Sequence, residues 1–362
     1  MKYLINTIFR FIISSNINRY PYFLIIIIII LFCGKTKQKD LIPEKDGIVT
    51  EFISSDYIFV DNHGLYYPRQ VRTCLEKGLI YVLNAGTRSI YVFSLDGKYV
   101  RKIGSIGQGP GELVGPLCFE VNNRGEVFVY DNSNKRVTSY SINGDYYSSF
   151  SVYGRDFSTI AVTDEGYIIM NLPKRGYYLT IFNRKGDIIQ EIGLIDQLTK
   201  FDNVNYSYSQ GNPIVDSEGN IYIFLQNLFK VKKFNNNGDL LFEKELDYLT
   251  GRGKKEIEKE RIKPEDIKKD MSAPLYILFE DIIYRNNRFY FMTSSMLENN
   301  NKNKEIKLII ITDNDLNIIE KVKIYSTSTH SLDAINSIDI LNENTIIGNN
   351  VNEHKIIKIE YN

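Results

Sequence analysis

The stretch that decides the fold runs Val71-Arg72-Thr73-Cys74-Leu75, turn Glu76-Lys77-Gly78, Leu79-Ile80-Tyr81-Val82-Leu83, loop Asn84–Ser89, Ile90-Tyr91-Val92-Phe93, turn Ser94-Leu95-Asp96-Gly97, then Lys98–Ile103. Ile, Val, Tyr and Phe fit pleated, half-buried surfaces. Asp-Gly between apolar runs is a strong hairpin signal, because Gly accepts the positive φ that such turns need. The stretch therefore predicts four short antiparallel strands joined by tight turns.

The same unit recurs along the chain. A second copy spans Leu117–Val152, a third Thr159–Ile192, a fourth Pro213–Leu246, a looser fifth Ile282–Ile324, and a sixth begins at Ser337. The second strands begin near Tyr81, Phe128, Ile168, Tyr222, Tyr290 and Ile346, at spacings of 47, 40, 54, 68 and 56 residues. A four-stranded unit repeating every 40–50 residues or so is a β-propeller blade. The longer spacings require insertions, and polar ones are visible at Leu194–Asn212, Asp247–Ala273 and Leu297–Glu305. A β-sandwich does not repeat a four-strand unit six times in register, and solenoids have shorter periods. The fold expected is all-β: a six-bladed propeller of four-stranded blades over residues 47–362.

Strand counting adds a topological expectation. The sixth unit offers three strands, Ser337–Leu341, Thr345–Gly348 and Ile356–Tyr361, before the chain stops. An open ring would expose strand edges at its seam. Gly47–Val60 is the strand-like segment left over, so this N-terminal strand is expected to pair with the C-terminal blade and close the ring.

Composition narrows the function classes. The 362 residues carry 44 Lys plus Arg and 44 Asp plus Glu, a net charge of zero. No global field steers such a chain onto nucleic acid or anionic lipid. The N-terminus reads as an address. Residues 1–21 hold Lys2, Arg10 and Arg19 without an acidic residue, and Tyr22–Cys33 is an unbroken apolar run. That run is too short for a spanning helix, which needs roughly 20 residues. A basic flank, a short apolar core and a polar continuation form a signal-peptide pattern. Residues 1–33 are assigned to it and 34–46 to a tether; an uncleaved anchor or another cleavage point is the alternative. The end of the run, Ile30-Leu31-Phe32-Cys33-Gly34, resembles a bacterial lipobox, with Phe32 where a small residue is usual. Cys33 is then the lipidation site, which gives membrane attachment through a lipid anchor only, on the periplasmic or cell-surface side of a bacterial envelope. Cys74 and Cys118 lie in strand-like runs; an oxidising compartment would allow one disulfide between them, and two buried, unpaired thiols are the preferred reading.

The segment Ile103-Gly104-Ser105-Ile106-Gly107-Gln108-Gly109-Pro110-Gly111-Glu112-Leu113, following Phe93–Lys98, resembles the first-blade signature of the six-bladed propeller lipoproteins of Bacteroidetes, relatives of NHL-repeat propellers. The resemblance extends over roughly Ile48–Tyr361. It implies fold and envelope location and little about function. Gly107–Glu112 lacks the Gly-Lys-Ser/Thr of a phosphate loop, so Pro110-Gly111 reads as a turn, with Glu112 available to bind loop backbone.

In a propeller the connections from second to third strand and from blade to blade share one face with the channel mouth, the default ligand site. On those connections stand Arg69, Asn84, Arg88, Asp131, Asn134, Arg136, Tyr206, Tyr208 and His330. Arg and Tyr together suit a carboxylate, peptide or sugar. The histidines, His63, His330 and His354, are scattered along the sequence, so no zinc site is expected; calcium held by loop oxygens stays open. No nucleophile elbow appears. The insertion Gly251–Asp270 pairs Glu and Lys at helical spacing and predicts a short exposed helix, a solvated excursion or a lid. The reading is a monomeric binding or scaffold propeller without a cofactor, its ligand a peptide, a glycan or an envelope protein. The alternative is a metal-dependent, lactonase- or lyase-like enzyme using the channel.

Overall fold

The fourth strands of the repeat are largely exposed, while the second and third carry hydrophobic residues at successive positions, so both of their faces must be covered. Stacking blades around an axis does this. A computed structural model of the chain describes residues 48–52, 55–57, 64–152, 159–246, 266, 279–294, 296–298, 301–325, 335–352 and 354–360. They belong to one compact unit, Ile42–Asn362. Five blades run from inner to outer strand in chain order. Blade 1 is Pro68–Cys74, Leu79–Asn84, Ser89–Ser94 and Tyr99–Ile103; blade 2 is Pro116–Val121, Val127–Asp131, Arg136–Tyr140 and Tyr146–Ser151. Blade 3 is Ile160–Val162, Ile168–Met170, Tyr177–Phe182 and Ile188–Leu194; blade 4 is Asn212–Val215, Ile221–Leu225, Lys230–Phe234 and Leu240–Glu245. Blade 5 is Phe279–Arg285, Arg288–Thr293, Asn301–Thr312 and Ile318–Tyr325. Blade 6 supplies Ile338–Asn342, Thr345–Asn350 and Lys355–Glu360. The chain is a six-bladed β-propeller.

The turns carry the repeat's chemistry. In blade 1 the Gly97 amide donates to the Ser94 carbonyl and the Ser94 amide to the Lys98 carbonyl, with Gly97 at φ +84°. Asp313–Asn317 in blade 5 makes the same two bonds, but Leu316 occupies the left-handed position at φ +65°. A branched side chain there is strained; Leu316 is fully buried in the core between blades 4 and 5. The strain is offset by burial.

Each of the six blade interfaces has its own apolar cluster. Among the described residues the clusters between consecutive blades hold ten to fourteen buried side chains. The cluster joining blade 1 to blade 6 holds seven: Val71, Ile80, Val82, Tyr91, Phe93, Ile347 and Ile356. Among the described residues the seam where the first and last blades meet thus has the fewest buried apolar side chains.

Two strands from the N-terminal side lie over the outer edges near that seam. Ser55–Tyr57 runs antiparallel to Lys355–Glu360, with Ser55 opposite Ile359 and Tyr57 opposite Ile357. Ile48–Phe52 runs parallel to Ile318–Tyr325 of blade 5, with Ile48 opposite Glu320 and Phe52 opposite Ile324. The sequence expectation puts Gly47–Val60 on blade 6 alone; its described strands are divided between blades 5 and 6. It also took Leu297–Glu305 as a polar excursion, whereas Met296–Glu298 pairs with Asn301–Ile306 as a hairpin extension of blade 5. Residues 1–47, which include the signal-peptide and tether segments and Cys33, lie outside the described residues. So do His63, His330 and, apart from Asp266, the 251–270 insertion.

Two predictions follow from these contacts. Without the segment before Tyr66, two edges lose their backbone ladders, a loss on the order of 3–6 kcal/mol. A chain beginning at Tyr66 should be insoluble or melt well below one beginning at Lys35; equal, cooperative melting temperatures would show that the segment does not hold the ring. The second concerns Glu126 of blade 2, whose carboxylate accepts from Arg184 Nη1 and Nη2 of blade 3 at 2.7 and 2.6 Å. Partial burial pushes this carboxyl up, but hydrogen bonds from Arg184 and Asn122 outweigh it and hold the pKa below the usual glutamate value. Its stabilisation is therefore complete above the unfolded pKa of about 4.3 and is lost as pH falls through the lower folded value. Glu126→Gln should cost about 1 kcal/mol near neutral pH. The gap to wild type should close in strong acid, as read from urea midpoints across a pH series.

Candidate functional site

Only the inner strands surround the axis, and blade 1 places Arg72 there. Its Nε donates to Glu120 Oε1 of blade 2 at 2.8 Å, and Nη1 and Nη2 donate to Asp281 Oδ2 and Oδ1 of blade 5 at 3.0 and 3.1 Å. Nη1 also lies 3.1 Å from Ser337 Oγ and 3.4 Å from the Ile338 carbonyl of blade 6. One guanidinium thus ties blade 1 to blades 2, 5 and 6 across the channel. Asp281 accepts in addition from Ser337 Oγ at 2.6 Å and the Ile338 amide at 3.1 Å. A second pair, Arg285 Nη2 to Asp339 Oδ2 at 2.8 Å, lies beside it, and the same Asp339 oxygen accepts the Thr73 amide.

Burial by itself would lower the Arg72 pKa, yet Asp281 and Glu120 outweigh it and hold the guanidinium well above its ordinary value. Burial likewise pushes the Glu120 carboxyl up, and Arg72 offsets this only in part. Cys118 beside them is pushed up to about 12 by burial, with Glu120 adding and Arg72 and Arg69 opposing. Cys74 and Cys118 are buried thiols, not a disulfide. Among the described residues no group of three or more His, Cys, Asp or Glu side chains could hold a metal ion.

On the face that carries the blade-to-blade connections, several residues expected as ligands fasten backbone. Asn84 is fully buried; its Oδ1 accepts the Tyr66 amide and its Nδ2 donates to the Gly64 carbonyl, both at 3.0 Å. Asp131 is fully buried too and accepts the amides of Val114, Gly115, Ser133 and Asn134, and the Asn134 side-chain amide. Arg136 donates to the carbonyls of Gln108, Gly109 and Glu112, while Glu112 Oε2 accepts the Gly109 amide. Asn171 and Asn349 repeat the clamp of Asn84, bonding Gly211 and Pro68 on the incoming segments of blades 4 and 1. The recurrence of Asn or Asp at the end of the second strand was the sequence signal for this role.

Tyr206 and Tyr208 were expected on a loop; they lie on a helix, Asp202–Tyr208. The apolar spacing Val204-x-x-x-Tyr208 gives that turn its buried face, and Tyr208 is fully enclosed between blades 3 and 4 while Tyr206 is half-buried. Arg69 and Arg88 remain on the loop face. Arg69 is the bulged residue between Pro68 and Gln70 and is exposed; Arg88 is half-buried at φ +51°.

Sequence reading missed the aromatic group at the seam. Tyr66 and Tyr67 are 60% and 54% exposed. Their rings lie 4.9 and 6.0 Å from the His354 ring of blade 6 and 6.3 Å from each other. The Tyr67 amide donates to His354 Nδ1 at 3.2 Å. Tyr67 and His354 both take positive φ, +65° and +56°. Gly86 lies so close beneath Tyr66 that a Cβ there would stand 2.3 Å from its ring. Tyr66-Tyr67-Pro68 is visible in the sequence, but its meeting with His354, 287 residues away, is a product of ring closure.

The axial network yields a stability prediction. Removing Arg72 leaves buried Asp281 and half-buried Glu120 without their counter-charge, a loss on the order of 3 kcal/mol. Arg72→Ala should lower the denaturant midpoint accordingly, and Arg72→Met combined with Glu120→Gln and Asp281→Asn should recover part of the loss. An Arg72→Ala chain as stable as wild type would remove the network from its structural role.

A family model, DUF5128, described as a 6-bladed beta-propeller, matches residues 61–153. No curated protein matches the chain. Among solved structures, a protein of Bacteroides fragilis described as exported is 12% identical, with a TM-score of 0.51, covering 83% of this chain and 88% of its own. A DUF4221 family member from Bacteroides vulgatus is 12% identical at TM-score 0.53, covering 85% and 96%. Virginiamycin B lyase from Staphylococcus aureus is 11% identical at TM-score 0.51, covering 85% and 98%. At these identities the likeness is one of fold.

Proposed function

We propose that this chain is an envelope-located, lipid-anchored, monomeric propeller that binds a ligand on the face of its blade-to-blade connections and has no resident metal. The observation that carries the reading is a division of roles between axis and face. Arg72, Glu120 and Asp281 satisfy one another and join four blades, so the inner strands use their charge for assembly. The exposed groups, Tyr66, Tyr67 and Arg69, stand on the loop face. Rigid scaffolds concentrate function in such connections. The lipobox-like end at Cys33 supports the anchor, and a fold shared with a protein described as exported agrees with an envelope address.

Hydrogen–deuterium exchange of the purified full-length protein, with and without an extract of its native envelope, tests the binding. Protection is expected in 64–69, 84–89 and 132–136. Unchanged exchange across that face, or stoichiometric zinc or calcium on the purified chain, would overturn the reading. Labelled fatty acid should appear on the wild-type chain and vanish from Cys33→Ala; its absence from wild type would remove the anchor.

A further inference from the structure

We propose that the rim of the propeller on the side of its tight turns rests against the lipid bilayer that holds Cys33, so that the face of the blade-to-blade connections points away from the membrane. The inference rests on the lipid-anchor reading above and adds a docking surface to it.

The rim carries a repeated feature. The outer strands of blades 1 to 5 each open with two large apolar residues, and the ladder to the neighbouring strand skips the second of them. The skipped residues are Val100, Tyr147, Ile189, Leu241 and Ile319, between 38% and 61% exposed. A β-bulge sets two residues of one strand against one of its neighbour, so each of these blade edges presents a pair of apolar side chains. A bulge constrains backbone and accepts polar side chains equally well. Edge strands commonly carry charge, which keeps them off other surfaces; these five edges begin the opposite way. The tight turns of every blade lie at one end of the ring, so the bulges form a band at one level around it. Toward the other face, the exposed large apolar side chains among the described residues are Tyr66, Tyr67, Ile106 and Leu194.

Three observations select the bilayer as the occupant. The chain arrives on this side: Ile48–Phe52 runs parallel to Ile318–Tyr325 with Ile48 opposite Glu320, so the strand starts beside the bulge of blade 5. Residues 34–47 separate it from Cys33 and span at most roughly 50 Å. A lipid on Cys33 therefore holds this rim close to the membrane and raises its effective concentration there. The second observation is shape. Equivalent positions of a ring lie in one plane across its axis, and a bilayer offers a flat surface to meet them. The third is charge. Asp96 pairs with Lys98 at 2.7 Å, and the carboxylates of Asp145, Asp187, Asp239 and Asp313 accept from Ser141, Asn183, Asn235 and Asn317 of their own turns. These turns carry no basic excess that would seek anionic lipid. Contact then falls to tyrosine and aliphatic side chains at the headgroup level, and zwitterionic lipid suffices.

The chain holds no Trp, so a single introduced Trp reports its own surroundings. Tyr147→Trp and Leu241→Trp place it on the rim, and Tyr66→Trp places it on the opposite face. At 147 an aromatic ring is kept beneath the Arg184 guanidinium, which lies 5.3 Å from it. Each full-length protein, purified from membranes, is reconstituted into phosphatidylcholine vesicles with and without bromine on the acyl chains and floated on a density gradient. Both rim variants should float, emit to the blue of Tyr66→Trp, and be quenched by brominated lipid several-fold more strongly than it. Adding phosphatidylglycerol should leave that quenching unchanged. Protein that fails to float removes the lipid anchor, and the docking with it. Protein that floats with both rim variants unquenched keeps the anchor and overturns the docking; a blue shift without quenching then assigns the rim to a second copy or another protein. Equal quenching of Tyr66→Trp overturns the orientation.

Discussion

The ring depends on a buried guanidinium. Arg72 is 5% exposed, and removing such a group from water is costly unless its donors are met. They are met by carboxylates on two other blades and by a hydroxyl and a carbonyl on a third. The geometry works only when blades 1, 2, 5 and 6 stand in register about the axis. A misplaced blade would leave a buried charge without its partner. The network therefore contributes less through attraction than through the penalty it sets on wrong assembly.

That penalty falls where the apolar packing is thinnest. Among the described residues the interface of blades 1 and 6 has the smallest hydrophobic cluster and a dense set of polar links. The Val71 amide donates to Ser337 Oγ, the Thr73 amide to Asp339, and Thr73 Oγ1 to the Ile340 carbonyl, while Asn349 Nδ2 reaches the Pro68 carbonyl. Hydrogen bonds are directional where apolar burial is not. A seam between parts of the chain some 270 residues apart gains its register from such bonds. The interfaces between consecutive blades form more locally and can rely on Ile, Val and aromatic burial, as in the Tyr222, Phe224, Phe289 and Phe291 stack of blades 4 and 5.

The architecture was legible because its cause is local. Alternation, Asp-Gly turns and a repeat of about 40–50 residues are properties of short windows, and they specify a blade. The site was less legible because its cause is not local. Asn84 and Asp131 look like loop ligands until the incoming segments 64–67 and 114–115 are laid against them. Tyr208 looks exposed until its helix turns it between two blades. Arg72, Glu120 and Asp281 belong to three different copies of the repeat, far apart in the sequence. Only closure of the ring brings the three together.

The aromatic group at the seam joins these two themes. Its backbone belongs to the polar fastening of blade 1, through Asn84 and through His354 of the last blade, so it cannot form before the ring has closed. Its rings pack there too, against His354 of the last blade and over Gly86. Tyr67 adopts a left-handed backbone that glycine or asparagine would accept more readily, and Tyr66 is fitted over a glycine that has no room for a Cβ. Stability alone would favour smaller, polar residues at 66 and 67. The positive φ of Tyr67 and His354 falls where the scaffold is cross-linked on both sides, so the fold can bear it. The seam thus joins backbone fastening and ring packing in one place, where two aromatic side chains remain more than half exposed on the loop face.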